Sequence, residues 1–234
     1  MHVLVTGGSG AIGGAIAAAF SAAGADVMVT SRSGRVGIAM DLEAPETIDA
    51  AVAEASADGL DTLVVNAVRW PNGFAERFEE LDGNEWRAVL RANVEGAFAL
   101  VQAALPALRE SNAGRIVLIS SGAAEEGHPP APHYVAAKAA LHGLCRALAW
   151  DAGRDGVLVN AIATGFTRTP AGIERLGNDI YDRAGALTPQ RRASTPEDVA
   201  ALALWLGSEA NTSVTGEVIR EGTSAARTPL VALA

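Results

Sequence analysis

Short apolar runs rich in β-branched residues alternate along this chain with longer stretches in which apolar residues recur at three- and four-residue spacing. The runs are His2-Val3-Leu4-Val5-Thr6, Asp26 to Ser31, Ile38-Ala39-Met40, Leu60 to Ala67, Arg115 to Ile119, Val157 to Ile162, and Val218-Ile219. Between them lie helical patterns. An Ala-rich segment ends near Ala23, and Pro45 to Ala57 carries Ile48, Val52 and Ala55 in register. In the stretch from about Asn84 to Glu110, Trp86, Val89, Val94, Val101 and Leu108 mark one long apolar stripe. From about His133 to Ala152 the chain is rich in Ala, Leu, Val and Arg with no internal proline. A last helix, Glu197 to Leu206, is announced by Thr195 as N-cap and Pro196 at the first helical position. Buried-type strands alternating with helices predict an α/β fold, a doubly wound parallel sheet in three α/β/α layers.

Composition narrows the picture. The chain has 234 residues, 49% of them hydrophobic, and a mean hydropathy of +0.19. That suffices for one well-filled core, and a single domain over residues 1–234 is expected, with no repeat and no linker. A net charge of −9 argues against nucleic acid or an anionic membrane as partner, because either calls for a basic patch. The single cysteine, Cys145, lies in an apolar helical pattern and reads as a small core residue in a reducing compartment. The chain opens directly into a strand without a signal-peptide pattern, and no apolar run reads as membrane-spanning, so a soluble cytoplasmic protein is expected.

Candidate chemistry begins at the first strand, which runs into Gly7-Gly8-Ser9-Gly10-Ala11-Ile12-Gly13 and then a helix. Gly8, Gly10 and Gly13 match G-x-G-x-x-G, whose glycines let a pyrophosphate approach the backbone at a helix N-terminus. The second strand ends in Thr30-Ser31-Arg32 rather than in the Asp or Glu that binds an NAD ribose, which favours NADP(H) over NAD(H), with Ser31 and Arg32 on the 2′-phosphate. Tyr134 and Lys138 are i, i+4 neighbours on the predicted helix, and Lys138 is the only lysine among 18 basic residues. A free phenol has a pKa of about 10, and a neighbouring ammonium lowers it toward the working range of an acid/base. Read alone, the same five residues also fit an ordinary helix with a packed tyrosine and a solvated lysine. Ser120-Ser121 ends the strand that begins at Arg115, at the sheet edge where open α/β proteins bind ligands. Asn93 falls beside the apolar stripe and by spacing reads as a structural amide. Gly127, Pro129, Pro130 and Pro132 form a rigid loop into the Tyr134 helix, and the Gly-, Thr- and Arg-rich loop from Thr164 to about Arg192 is a candidate substrate lid.

Together these residues resemble the short-chain dehydrogenase/reductase family, in its short single-domain branch of Rossmann-type fold, over nearly the whole chain. The resemblance implies that Tyr134 is the general acid, that Lys138 lowers its pKa and holds the nicotinamide ribose, and that Ser121, thirteen residues before Tyr134, binds the substrate carbonyl. Asn93 would hold a relay water for Lys138. The cofactor would meet Gly7, Ser9, Gly10, Ile12 and Gly13 in the turn, and Asp41, Leu42 and Asn66 around the adenosine. Thr167 and Thr169 would meet the nicotinamide amide or pyrophosphate. Four departures stand out: Ala11 at a usual glycine, Val68-Arg69-Trp70-Pro71 after Asn66-Ala67, Thr164-Gly165 for Pro-Gly, and Glu221-Gly222-Thr223 for Asp-Gly-Gly. No metal is implied. The reading is an NADP(H)-dependent oxidoreductase acting on a small-molecule ketone or secondary alcohol, acyl and polyketide ketones included, in a homo-oligomer (tetramer or dimer) built on two long helices. The alternatives are a non-redox epimerase, dehydratase or cyclase on the same fold, and a non-catalytic nucleotide sensor.

Overall fold

Seven strands, β1 (His2–Val5), β2 (Asp26–Ser31), β3 (Ile38–Ala39), β4 (Thr62–Val65), β5 (Arg115–Ser121), β6 (Leu158–Thr164) and β7 (Val218–Glu221), form one sheet in the order β3-β2-β1-β4-β5-β6-β7. Every neighbouring pair is parallel. The structure is a computed structural model that describes residues 1–73, 77–128 and 130–222. Pro129, Thr223 and the apolar tail Pro229 to Ala234, part of the expectations above, lie outside them.

Strand side chains alternate between two cores, as the pleat requires. Val3, Val5, Val64, Val117 and Ile119 join Ile16, Phe20 and Val199 on one face. Leu4, Leu63, Val65, Ile116 and Leu118 join Ile48, Leu100 and Leu141 on the other. Both faces are covered, which is why the central strands read as unbroken apolar runs. The first face carries helices α1 (Ala11–Ala22) and α9 (Pro196–Leu206); the second carries α2 (Pro45–Ala55), α4 (Gly96–Glu110) and α6 (Pro132–Ala152). Cys145 is buried on α6, where burial pushes its thiol up to about 11, as suits an inert core residue.

The long fourth pattern is continuous from Gly83 to Glu110, but α3 (Gly83–Leu90) and α4 are joined through a π turn at Arg91–Glu95 that the stripe did not predict. By length and composition this helix could cross a membrane, contrary to the expectation that no run reaches that length; its buried Leu100, Ala104 and Leu108 face the core of the sheet. The expected loop from Thr164 to Arg192 contains two helices, α7 (Pro170–Leu176) and α8 (Asn178–Ala186). Thr169 caps α7 by accepting from Gly172 N–H at 3.1 Å, Pro170 fits its first position, and Gly177 at φ 81° ends it. Composition hid this because Gly, Thr and Pro serve helix ends as well as loops. A short helix, α5 (Ala123–Glu126), precedes the loop into α6.

Candidate active site

A cleft of about 1290 Å³ opens at the carboxyl ends of the strands, where the order reverses between β1 and β4. The glycine turn forms its floor. Gly7 has φ 72°, and a Cβ on Gly13 would sit 2.3 Å from the Gly7 carbonyl, so the turn closes only with glycine at both. Gly10 precedes α1 and offers no side-chain cap, so the first N–H groups of α1 are left without helical partners at the cleft. A dinucleotide pyrophosphate fits that arrangement.

The residues expected around the cofactor divide into two groups. Gly7, Ser9, Gly10, Ile12, Gly13, Ser31, Arg32, Asp41, Leu42, Asn66 and Thr169 line the cleft, whereas Tyr134, Lys138 and Thr167 are not among its lining residues; Thr167 donates its hydroxyl to the Gly165 carbonyl at 3.1 Å. Several lining side chains already hold structure. Asn66 Nδ2 donates to the Thr6 carbonyl at 2.8 Å, Ser31 Oγ accepts from Val36 N–H at 3.3 Å, and Asp41 Oδ1 accepts from Glu43 N–H at 3.0 Å. Arg32 is exposed at the cleft rim, and no acidic residue shares the end of β2 with it.

Beside the cleft, α6 carries Tyr134 and Lys138 on one face. The strand alternation of β5 separates the two candidate serines. Ser121 is hydrogen-bonded to Tyr134. Ser120 is buried beneath the helix, 3.0 Å from the Lys138 carbonyl and 2.8 Å from His142 Nε2. Lys138 is 5% exposed; its Nζ donates to the Ile119 carbonyl at 2.8 Å and lies 5.9 Å from the centroid of the Tyr134 ring. The electrostatics differ from the expectation that the ammonium pulls the phenol down. Burial pushes Tyr134 up to about 12, opposed by its hydrogen bond with Ser121, and pushes Lys138 down to about 8. With the ammonium above the ring rather than at the hydroxyl, desolvation outweighs attraction.

Asn93, on the π turn, uses its side chain on the chain that leaves β4. Its Oδ1 accepts from Arg69 N–H at 2.9 Å and its Nδ2 donates to the Arg69 carbonyl at 2.9 Å. Neither group reaches for Lys138, so the structural reading by spacing describes what this amide does here. Arg69 in turn pairs with Glu85 at 2.9 Å and Glu43 at 3.4 Å, and Asn72 N–H donates to Glu85 at 2.8 Å. Trp70, the next residue, lies with its ring centroid 4.8 Å from that of Tyr134, tilted 53°. Sequence reasoning singled out Arg69-Trp70 as a departure but had no signal for Glu85 or Glu43 as its anchors.

Comparison with known proteins agrees with this geometry. The family model described as enoyl-(acyl carrier protein) reductase matches residues 7–220. The 3-oxoacyl-[acyl-carrier-protein] reductase FabG of Aquifex aeolicus is 34% identical over 92% of this chain and 93% of its own length. The L-fucose dehydrogenase of Mus musculus is 36% identical over 89% of this chain and 82% of its own. Among solved structures, the 3-oxoacyl-[acyl-carrier protein] reductase of Brucella melitensis superposes with a TM-score of 0.83 at 32% identity, over 93% of this chain and 88% of that one. The chain belongs to the short-chain dehydrogenase/reductase family, a family of oxidoreductases.

The buried lysine has a measurable signature. Its folded pKa of about 8 lies below the unfolded value, so between about pH 8 and 10 the unfolded chain binds more protons and the Lys138 contribution to stability rises with pH. Urea unfolding at pH 7 and pH 10 should show wild type gaining stability relative to Lys138→Met as pH rises. A constant difference would mean that Lys138 is solvated.

Proposed function

We propose that the chain is an NADP(H)-dependent oxidoreductase that interconverts a ketone and a secondary alcohol, with Tyr134 as the proton donor and acceptor. The observation that carries this is the hydrogen-bonded pair Ser121 and Tyr134 one helical turn from buried Lys138, next to a cleft floored by an uncapped helix N-terminus. Relatives named acetoacetyl-CoA reductase and 3-oxoacyl-[acyl-carrier-protein] reductase support the direction of the chemistry and make acyl ketones candidate substrates.

The nicotinamide, when bound, supplies or accepts the hydride at the carbonyl carbon. Ser121 Oγ hydrogen-bonds the carbonyl oxygen, and Tyr134 gives its proton to the same oxygen as negative charge develops there. Burial keeps the phenol protonated until that moment. Afterwards the Lys138 ammonium stabilises the phenolate, and its donors hold the nicotinamide ribose. Reprotonation reaches Lys138 through a water near Asn93. The Asn93 side chain is committed to Arg69, so that water rests on the backbone of the π turn, where Gly96 N–H bonds to Arg91 and shifts the carbonyl pattern of the helix. At the other end of the cleft, Arg32 and Ser31 receive the 2′-phosphate.

Oligomer formation fits the exposed face of the same helices. Phe98 on α4 and Trp150 on α6, the latter 83% exposed, are large apolar side chains without cover in one chain. A second copy covering them would make a dimer, and repetition a tetramer.

Three outcomes are expected. Tyr134→Phe should lower kcat by about a thousandfold, with NADPH affinity retained in calorimetry; a fully active variant would sink the mechanism. Arg32→Ser should weaken NADPH binding by about tenfold and leave NADH binding nearly unaltered, whereas equal loss for both cofactors would remove the phosphate role. Light scattering should return the mass of a dimer or tetramer, and a monomer at working concentration would refute the helix interface.

A further inference from the structure

We propose that Trp70 and Arg175 form the substrate-recognition subsite and take a small ketone that carries an anionic group, a carboxylate or a phosphate, a few bonds from its carbonyl. The inference rests on the ketoreductase reading of the same site. It begins with the base on which Trp70 stands. The Arg69 peptide is held on both sides by Asn93, its guanidinium is held by Glu85 and Glu43, and Asn72 N–H closes the segment onto Glu85. A ring carried on so many fixed neighbours is a wall. That wall lies 4.8 Å from the Tyr134 ring, so the indole fills the space beside the phenol and limits the substituent on that side of the carbonyl.

Arg175 comes to the same ring from the other component of the site. It lies on α7 of the lid, with its guanidinium carbon 5.0 Å from the Trp70 centroid. Its charge is not neutralised by a carboxylate, unlike three of its neighbours. Arg168 pairs with Asp182, Arg183 with Asp179 and Arg192 with Asp198, whereas Arg175 forms no ion pair among the described residues. Other arginines, Arg191 among them, also lack a carboxylate partner among the described residues, but Arg175 is the one that stacks on the indole standing against the candidate proton donor. Cation–π contact uses the charge of the guanidinium and leaves its N–H donors available for a planar oxyanion. Trp70 therefore shapes the carbonyl end of the substrate, and Arg175 reads charge at the same indole.

Two sources can present such an anion: the carboxylate of a free oxo acid, or the phosphate of a small keto phosphate. Matched pairs of probes separate them, acetoacetate against methyl acetoacetate, and dihydroxyacetone phosphate against dihydroxyacetone, each reduced with NADPH by the full chain. The expected result is a higher kcat/KM for the charged member of one pair, with Arg175→Gln lowering the charged-to-neutral ratio about tenfold through KM, and Arg175→Lys restoring part of it. Trp70→Ala should lower the same ratio by removing the platform of Arg175, and Trp70→Phe should keep it. A wild-type ratio near one in both pairs, or a ratio that Arg175→Gln leaves unaltered, overturns the subsite while turnover of the neutral probes upholds the ketoreductase reading. Turnover of no probe, with NADPH bound, overturns that reading and the subsite with it.

Discussion

Thr6 and Asn66 hold together the two strand ends between which the cleft opens. Where the strand order reverses, the connections leave β1 and β4 in opposite directions, and backbone groups there lose their ladder partners and need others. The Thr6 hydroxyl donates to the Val64 carbonyl at 3.2 Å and accepts from Asn66 N–H at 2.9 Å and Ala67 N–H at 3.0 Å, which saturates it. Asn66 returns a bond to the Thr6 carbonyl and a longer one, 3.4 Å, to Gly7. A Cβ on Gly13 would come 2.6 Å from Asn66 Nδ2, so glycine turn, helix start and strand end form one packed unit. The cofactor floor and the wall of the site are two sides of this junction.

From Ala67 the chain carries that order outward. Arg69, with only 21% of its side chain exposed, is a charge that has to be compensated, and Glu85 and Glu43 compensate it from two different elements. The π turn presents Asn93 to the Arg69 peptide, so an irregularity in one helix fixes a loop across the cleft. A Gly at position 68 would leave this segment freer. Here Val68, Arg69 and Trp70 replace freedom with contacts, and the contacts end at the Tyr134 ring. The departure at Val68-Arg69-Trp70 thus builds the surface next to the candidate acid.

Much of this was legible in the sequence because it is local or periodic. The doubly wound parallel sheet follows from apolar runs alternating with helices. The glycine turn, the four-residue spacing of Tyr134 and Lys138, and the thirteen residues from Ser121 to Tyr134 are distances along the chain. Ser120 and Ser121 could be told apart only by register, since the pleat sends them to opposite faces, one to His142 and the other to Tyr134. What the sequence did not carry depends on tertiary contact. Nothing near Asn93 announces that its amide will meet Arg69, twenty-four residues away. Nothing in the sequence marks Glu43 and Glu85 until the fold brings one arginine between them. The helices α7 and α8 were hidden because Thr169, Pro170 and Gly177 are as much loop residues as caps.

The same burial explains why the site holds the chain's one lysine. A group that is 5% exposed and has no carboxylate partner must be able to give up its charge, and burial brings Lys138 to about 8, within reach of neutrality. Arginine does not deprotonate at any working pH and would keep an uncompensated charge beneath the helix. Its planar fork would also be too wide for the single acceptor that Nζ finds, the Ile119 carbonyl at 2.8 Å. Tyr134 is subject to the same desolvation with the opposite sign, which holds its proton in place. The two groups are thus poised from opposite directions, one near losing a proton and one reluctant to. In the mechanism proposed above, proton transfer out of the phenol becomes favourable when a developing alkoxide provides the negative charge that the resting site lacks, with Lys138 placed to stabilise the phenolate left behind.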